Sequence, residues 1–529
     1  MPKRCAIVGA GVSGLPSIRW ALAYGIEPVA FELTESIGGL WKYKPDETEL
    51  SSVMKSTIIN TSKEMTAYSD FPPPPSFANF MHNRQMLKYF QMYADHHQLH
   101  KYIRFEHTVL SVQRSPHYST TGQWALEYKT PDGLVKQELF DCVLLCQGHH
   151  AKPNLTGTDW KGKDIFQGKI IHSHSYKDHV GYEDTTNVVV GMGNSAVDVA
   201  VELSRIGKQV YLSTRRGAWI MNRVGTYGQP FDMEVINRFR MKYLNAVVPL
   251  WLVEKIFMKL LQQRFDHAKY GLMPKHGFLS QHATINDELP NRIVSGTVIV
   301  KPNIKEYTAT GVVWEDGTES QVDNVILCIG YLFDFNLVEN GQLIKVKDNY
   351  TPLFKYMYPA ELLDHNTLES LVWPNHLDQS CLFLRCRPEF SSKSDIQYKQ
   401  DQISQRYVHS LRHTLQVDYI QFMDELAGLI DCIPRPLDYI FTDPKLAQKL
   451  VFQANVAYVY RLRGNHTWSG ARDAIMTVQK RSDEAFKGRD VGIKPSSNYM
   501  TQYVFASIFM LIALFGCLSY EIHCKYLYL

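Results

Sequence analysis

The chain has 529 residues, 45% of them hydrophobic, 12% aromatic and 21% charged, a length that predicts three or four domains with real cores and a composition that excludes a mostly disordered protein. Fifty-six Lys and Arg against 53 Asp and Glu leave a formal charge of +3, too balanced for nucleic acid to be the partner. The nine cysteines show no paired zinc-type spacing and exclude a disulfide scaffold, so no metal site is expected and a reducing compartment fits.

Lys3 and Arg4 run directly into a strand, with no long apolar region and no small-residue cleavage site, so no signal peptide is expected. The strand is Arg4–Val8, followed by the turn Gly9-Ala10-Gly11-Val12-Ser13-Gly14 and an apolar-periodic helix running up to Gly25. Glycines at these positions tighten the turn and let backbone N–H groups approach a pyrophosphate at the helix N-terminus. The next strand, PVAFEL, carries Glu32, 23 residues after Gly9, where a carboxylate accepts from ribose hydroxyls and repels a 2′-phosphate. The first site is therefore expected to hold an adenosine with free ribose hydroxyls, as in FAD or NAD.

Further along, FPPPPS at 71–76 reads as a rigid surface loop, and His96, His97 and His100 lie on a helical stretch without further ligands at zinc spacing, which favours surface roles. Cys142 and Cys146 sit at opposite ends of the apolar CVLLC strand and do not form a CxxC pair, which excludes disulfide-reductase chemistry.

Near residue 190 the first pattern recurs. The strand is Val188–Val190, the turn Gly191-Met-Gly193-Asn-Ser195-Ala196, and the helix Val197–Ile206, with Asp198 in its first turn. Arg215 now stands 24 residues after Gly191, with Arg216 beside it and Ser213 and Thr214 offering hydroxyls. A guanidinium there forks onto a 2′-phosphate, so this second site selects NADP over NAD. Two sites of opposite ribose chemistry imply an electron path from NADPH to FAD, and oxygen is the readiest acceptor beyond it.

At the far end no side chain between Lys494 and Glu521 is charged, and Tyr503–Tyr520 is 18 residues of almost entirely apolar type. That is long enough to span a bilayer, so a C-terminal membrane anchor is expected, with the catalytic mass in the cytosol and the sequon Asn465-His-Thr467 silent.

Together the stretches GAGVSG, IGGLWKY (with Gly38, Gly39, Leu40 and Trp41), INTSKEM at 59–65, ANFMHN, FQGKIIHSHSY at 166–176, STRRGAWI, NDELP, FTDPKLA and the apolar tail resemble the flavin-containing monooxygenases, the microsomal, dimethylaniline N-oxide-forming type. Phe166, Gly168, His172 and Tyr176 match the family's FxGxxxHxxxY signature. STRRGAWI, RFDH at 264–267, LSQH at 279–282 and RYVHSLRHTLQVDYI at 406–420 look most like its fifth form, known more for Baeyer–Villiger and NADPH oxidation than for amine work.

The resemblance implies two Rossmann-like α/β domains, the FAD domain interrupted by the NADPH domain, and a tail in the endoplasmic reticulum membrane. The expected division is 1–154 and 332–494 for FAD, 155–331 for NADPH and 495–529 for the anchor. It implies that NADPH and O2 oxygenate amines, thioethers or ketones through a C4a-hydroperoxyflavin. Ile59, Asn60 and Thr61 would touch the cofactors together with Leu40 and Trp41, Asn60 being the catalytic amide between flavin and nicotinamide, and His172 would couple domain positions.

One region departs from the family. Between about Asn366 and Asp395, where relatives carry a buried strand, a TLAIIGLxQPLG turn and an ExQARW helix, this chain reads TLESLVWPNHLDQSCLFLRCRPEFSSKSD. Back-translation of Val372–Glu389 one base earlier approaches the family pattern, so a shifted reading frame is expected there. The returning strand of the FAD domain would then be lost, and FAD retention and activity weakened.

Overall fold

The computed structural model describes residues 2–359, 362, 367–370, 417–486 and 488–489. Two five-stranded sheets organise it. The first has the order Leu368–Ser370, Cys142–Leu145, Arg4–Val8, Glu27–Phe31, Ile103–Arg104, every neighbour parallel. The second runs Val298–Lys301, Gln209–Ser213, Thr186–Val190, Asn324–Leu327, Lys169–His172, again all parallel.

The central strands carry unbroken apolar runs, Cys5–Val8 and Val188–Val190, because these stretches are covered on both faces. In the first sheet Cys5 and Ile7 pack towards Leu15 and Ile18 of the helix Gly14–Ala23. The alternate residues Ala6 and Val8 pack towards Val112, Trp124 and Leu126 of an antiparallel sheet formed by Thr108–Arg114, Trp124–Lys129 and Val135–Phe140. The second sheet repeats the plan. Val189 joins Ala196, Val197 and Ala200 of the helix Asn194–Leu203, while Val188 and Val190 meet Ile304, Val312 and Trp314 of a second antiparallel trio. The side-chain period of two assigns the two layers in both places.

The second helix starts at Asn194 rather than Val197 because Gly193 is extended and serves as its N-cap; it ends at Leu203, after which Ser204 and Ile206 close turns onto Ala200 and Leu203. The two sheets are joined by a double passage of the chain, Lys152–Pro153 pairing antiparallel with Tyr331–Leu332.

The expected loss of the returning strand is corrected. Leu368–Ser370 pairs with Cys142–Leu145 in register Leu368↔Val143, Leu368 is fully buried, and Thr367 accepts from Trp124 Nε1 at 2.8 Å and donates to the Gly122 carbonyl at 2.8 Å. The strand forms because TLES, at the start of the altered run, still places Leu368 on the core face. The rest of that run, 371–395, lies outside the described residues, as does the apolar stretch 503–520. Among the described residues no helix is long and apolar enough to cross a membrane.

Candidate functional site

The two glycine turns occupy equivalent places in their sheets. Gly9 N–H donates to the Phe31 carbonyl at 2.8 Å and Gly191 N–H to the Ser213 carbonyl at 3.0 Å, each tying its turn to the next strand. Gly9 (φ +102°) and Gly191 (φ +122°) are in the left-handed region, and a Cβ would fall 2.6 Å from the Cys146 carbonyl oxygen in the first and 2.4 Å from that of Cys328 in the second. Only glycine allows strand and turn to approach this closely.

In the first turn a Cβ on Gly14 would stand 2.0 Å from the Gly9 carbonyl oxygen, whereas one on Gly11 would meet nothing nearer than Gly39 Cα at 3.7 Å. Gly11 therefore only touches Gly39, without the crowding of Gly9 and Gly14. The N–H groups of Gly11, Val12 and Ser13 have no partner among the described residues, and Ser13 makes no side-chain cap. Donors gathered at a helix N-terminus beside a glycine floor fit a pyrophosphate. The Gly38 N–H donates to the Ala10 carbonyl at 3.2 Å, which draws the short 3-10 turn Gly39–Trp41, with Leu40, over the cradle.

Glu32 is buried and already accepts three bonds, from Ala10 N–H at 2.9 Å, Thr34 N–H at 2.9 Å and Thr34 Oγ1 at 2.7 Å. The Thr34 hydroxyl has the Ser36 carbonyl within reach as well, at 2.9 Å, so the carboxylate keeps acceptor positions for ribose hydroxyls.

The second cradle has the same floor with a different rim. The N–H groups of Gly193 and Asn194 have no partner among the described residues, the helix N-terminus carries no side-chain cap, and Ser195 is exposed beside it. Ala196 and Val197 are buried in the core and contribute packing. Asp198 turns away to accept from Asn286 Nδ2 at 3.0 Å, and burial pushes its carboxyl up to about 6, a rise opposed by Arg223 and Asn286.

Arg215 and Arg216 are exposed and make no hydrogen bond or ion pair with protein among the described residues, two guanidiniums free to meet a phosphate. Thr214 Oγ1 accepts from Gly217 N–H at 2.9 Å and keeps its own proton to offer. Ser213 does not fit the expected donor role, because it is buried and its hydroxyl donates to the Pro302 carbonyl at 2.9 Å.

Asn60 lies where the two units touch. Arg223, from the second unit, donates through Nη2 to Asn60 Oδ1 at 2.9 Å and through Nε to the Ile59 carbonyl at 3.4 Å. A guanidinium only donates, so the carbonyl oxygen of the amide must face it and the NH2 points elsewhere; Asn60 Nδ2 has no partner among the described residues. Thr61 Oγ1 and Thr66 Oγ1 share a hydrogen bond at 2.7 Å, and Ser62 N–H donates to Asp232 at 2.6 Å. Burial pushes the Asp232 carboxyl up to about 6 against these hydrogen bonds.

His172 ends the edge strand Lys169–His172 of the second sheet, with Phe166 and Gly168 just before that strand and Tyr176 just after it. A Cβ on Gly168 would fall 2.3 Å from the Phe166 ring and 2.4 Å from the Asp323 carbonyl oxygen. His172 Nδ1 accepts from His174 N–H at 3.1 Å, so its Nε2–H donates to the Gly330 carbonyl at 3.0 Å, beside the double linker. Burial brings this imidazole down to about 4, so it stays neutral. Tyr176 donates to Glu202 at 3.2 Å. His100 pairs with Asp95 at 3.1 Å on the surface.

Arg223 and Asp232 are the residues that motif spacing did not reveal. They stand 163 and 170 residues beyond their partners Asn60 and Ser62, and no local period marks such a pair.

The flavin-binding monooxygenase-like family model matches residues 2–375 and 385–520, and the gap between the two matched stretches lies inside the altered run. Among curated relatives, flavin-containing monooxygenase 5 of Oryctolagus cuniculus is 42% identical over 531 residues, covering 97% of this chain and 98% of the relative. The solved S-allyl-L-cysteine S-oxygenase of Allium sativum shares the fold with a TM-score of 0.60 at 20% identity, covering 92% of this chain and 99% of that one. A cyclohexanone monooxygenase mutant from Rhodococcus sp. Phi1, bound to NADP+, does so with a TM-score of 0.58 at 14% identity, covering 81% and 98%.

Proposed function

Because the chain belongs to the flavin-binding monooxygenase-like family and is an FAD- and NADPH-dependent monooxygenase, we propose that it oxygenates soft nucleophilic nitrogen or sulfur in small molecules, with Asn60 as the amide at the cofactor junction. The observation that carries this reading is the Arg223–Asn60 contact between two glycine cradles of opposite rim charge. FAD, when bound, would relay two electrons from NADPH to O2, one oxygen atom of which goes to the substrate and the other to water.

The chain's own residues do the rest. Glu32 and the N–H groups of Gly11, Val12 and Ser13 would hold the adenosine and pyrophosphate of FAD. Arg215, Arg216 and Thr214 would hold the 2′-phosphate of NADPH, with Gly193 and Ser195 at its pyrophosphate. Arg223 takes the Asn60 carbonyl, which leaves the uncharged NH2 of the amide as a donor. Ile59, Leu40 and Trp41 border this space and help exclude water from it.

A second reading, oxygen insertion next to a ketone carbonyl or release of peroxide, is favoured by the stretches that look like the family's fifth form. An inactive chain is favoured by the altered run 366–395. The proposed division at about 154 and 331 is supported by the paired passages Lys152–Pro153 and Tyr331–Leu332. Anchoring of the tail in the endoplasmic reticulum membrane is supported by the uncharged run 503–520.

Purified, FAD-loaded chain given NADPH with a tertiary amine, a thioether or a ketone separates these readings. Coupled N- or S-oxide supports the first, and ester with peroxide the second. No NADPH loss with any substrate rejects both.

A further inference from the structure

The residues that follow Asn60 are tied to chain more than four hundred residues away. Lys63 and Glu64 are both fully buried. Lys63 Nζ donates to the carbonyls of Pro75 at 2.6 Å, Phe77 at 3.0 Å and Arg481 at 2.9 Å. Glu64 receives a fork from Arg481, Nε to Oε1 at 3.0 Å and Nη2 to Oε2 at 2.5 Å, and a third bond from the Tyr458 hydroxyl at 3.2 Å. Alongside, Asn79 Nδ2 donates to the Ser482 carbonyl at 3.0 Å, and Ser482 Oγ bonds Asn79 Oδ1 at 3.2 Å. Arg481 Nη1 donates to Thr477 Oγ1 at 2.5 Å, fixing the guanidinium on its own helix, Val478–Asp483.

A pair this deep gives little net stability, because desolvating two charges offsets most of their attraction and an apolar pair of similar volume often does as well. What a fork with every oxygen occupied does provide is a single geometry. The sequence position shows what that geometry holds. Lys63 is three residues past Asn60 and opens the short helix Lys63–Thr66, so the backbone carrying the amide leaves directly into the buried pair.

We propose that Lys63, Glu64 and Arg481 are positioning residues, a buried clamp through which the helix Val478–Asp483 fixes the backbone of the Asn60 segment. The proposal rests on the reading of Asn60 as the junction amide. Releasing the clamp leaves FAD and NADPH bound but lets the amide wander, so NADPH is spent on reducing O2 to H2O2 rather than on oxygenating substrate.

Two measurements test it. Hydrogen exchange over residues 57–68 is followed in the full chain without cofactor, and the peroxide formed per NADPH consumed is followed in the FAD-loaded chain. Glu64→Gln is expected to speed exchange across that segment by ~10-fold and to raise the peroxide fraction severalfold, towards that of Asn60→Ala. The control is Arg238→Met, which breaks another buried fork, Arg238 to Asp424 at 2.8 and 2.6 Å; it is expected to lower thermal stability without either change. Should Glu64→Gln fail to fold, the double variant Glu64→Leu/Arg481→Met removes both charges together and is read the same way. Lowered stability with exchange over 57–68 and peroxide fraction unchanged overturns the clamp. An unchanged peroxide fraction in Asn60→Ala overturns the reading of Asn60 instead, and the exchange result still decides on the clamp.

Discussion

The two glycine cradles are built alike and finished differently. Gly9 and Gly191 press against the carbonyls of Cys146 and Cys328, and each donates to the end of the neighbouring strand. Counting outward from those strand ends, Glu32 follows Phe31 as Thr214 follows Ser213, and Arg215 lies one residue further. The acid is buried and held by three protein donors before any ligand arrives, whereas the arginines are exposed and hold nothing. A prepaid, rigid rim suits a cofactor that stays; a loose, charged one suits a cofactor that comes and goes with each turnover.

The two cradles are expected to differ most in what a methyl group at the turn does to each. Gly9→Ala forces a methyl group into the Cys146 carbonyl at a left-handed φ, and the purified protein is expected to lose nearly all bound FAD, read from its visible absorbance. Gly191→Ala commits the equivalent clash in the other unit. It should keep FAD and lose reduction by NADPH ~100-fold or more, measured by anaerobic stopped-flow. Identical phenotypes would mean that the two cradles do not serve different cofactors.

The seam between the units gives the next effect. Asp232 is raised to about 6 in the folded chain against an ordinary value near 4, so the folded state holds the proton more tightly. Its contribution to stability is present below pH ~4 and is lost as pH rises through about 6. Partial solvent contact screens the change to roughly 1–3 kcal/mol. Asp232→Asn should flatten that part of the melting-temperature profile between pH 4 and 7, and a profile unchanged by the substitution would refute the assignment.

At the phosphate rim, Arg215→Ala is expected to raise the KM for NADPH by ~10–100-fold, the worth of a charge-assisted fork, while leaving the KM for NADH unchanged. Ser213→Ala is expected to do least. Its hydroxyl is committed to Pro302, so stability should fall by about 1 kcal/mol with no change in the NADPH/NADH preference.

The sequence made both cradles legible because their chemistry is local: three glycine positions, a strand before them, a helix after them, and a charge about 23 residues on. The apolar run Cys5–Val8 likewise marked a strand, while which residues face which layer came only from the structure. Asn60 was visible only through family resemblance, since a lone amide in a turn carries no period. Arg223, Asp232 and the Lys63–Glu64–Arg481 cluster were not legible at all, because each joins segments far apart in the chain and a buried charge reads in sequence like any surface one. The returning strand misled in the opposite direction. Its altered continuation concealed that Thr367 and Leu368 still suffice to pair with Val143.

Placement of FAD in the cradle rimmed by Glu32 and of NADPH in the cradle rimmed by Arg215 is tested by anaerobic titration of the FAD-loaded chain, followed at the visible flavin band. NADPH should bleach the flavin at about one equivalent, and NADH should need on the order of a hundredfold higher concentration to bleach it at the same rate. Equal response to the two nucleotides, or a flavin that neither reduces, would contradict it.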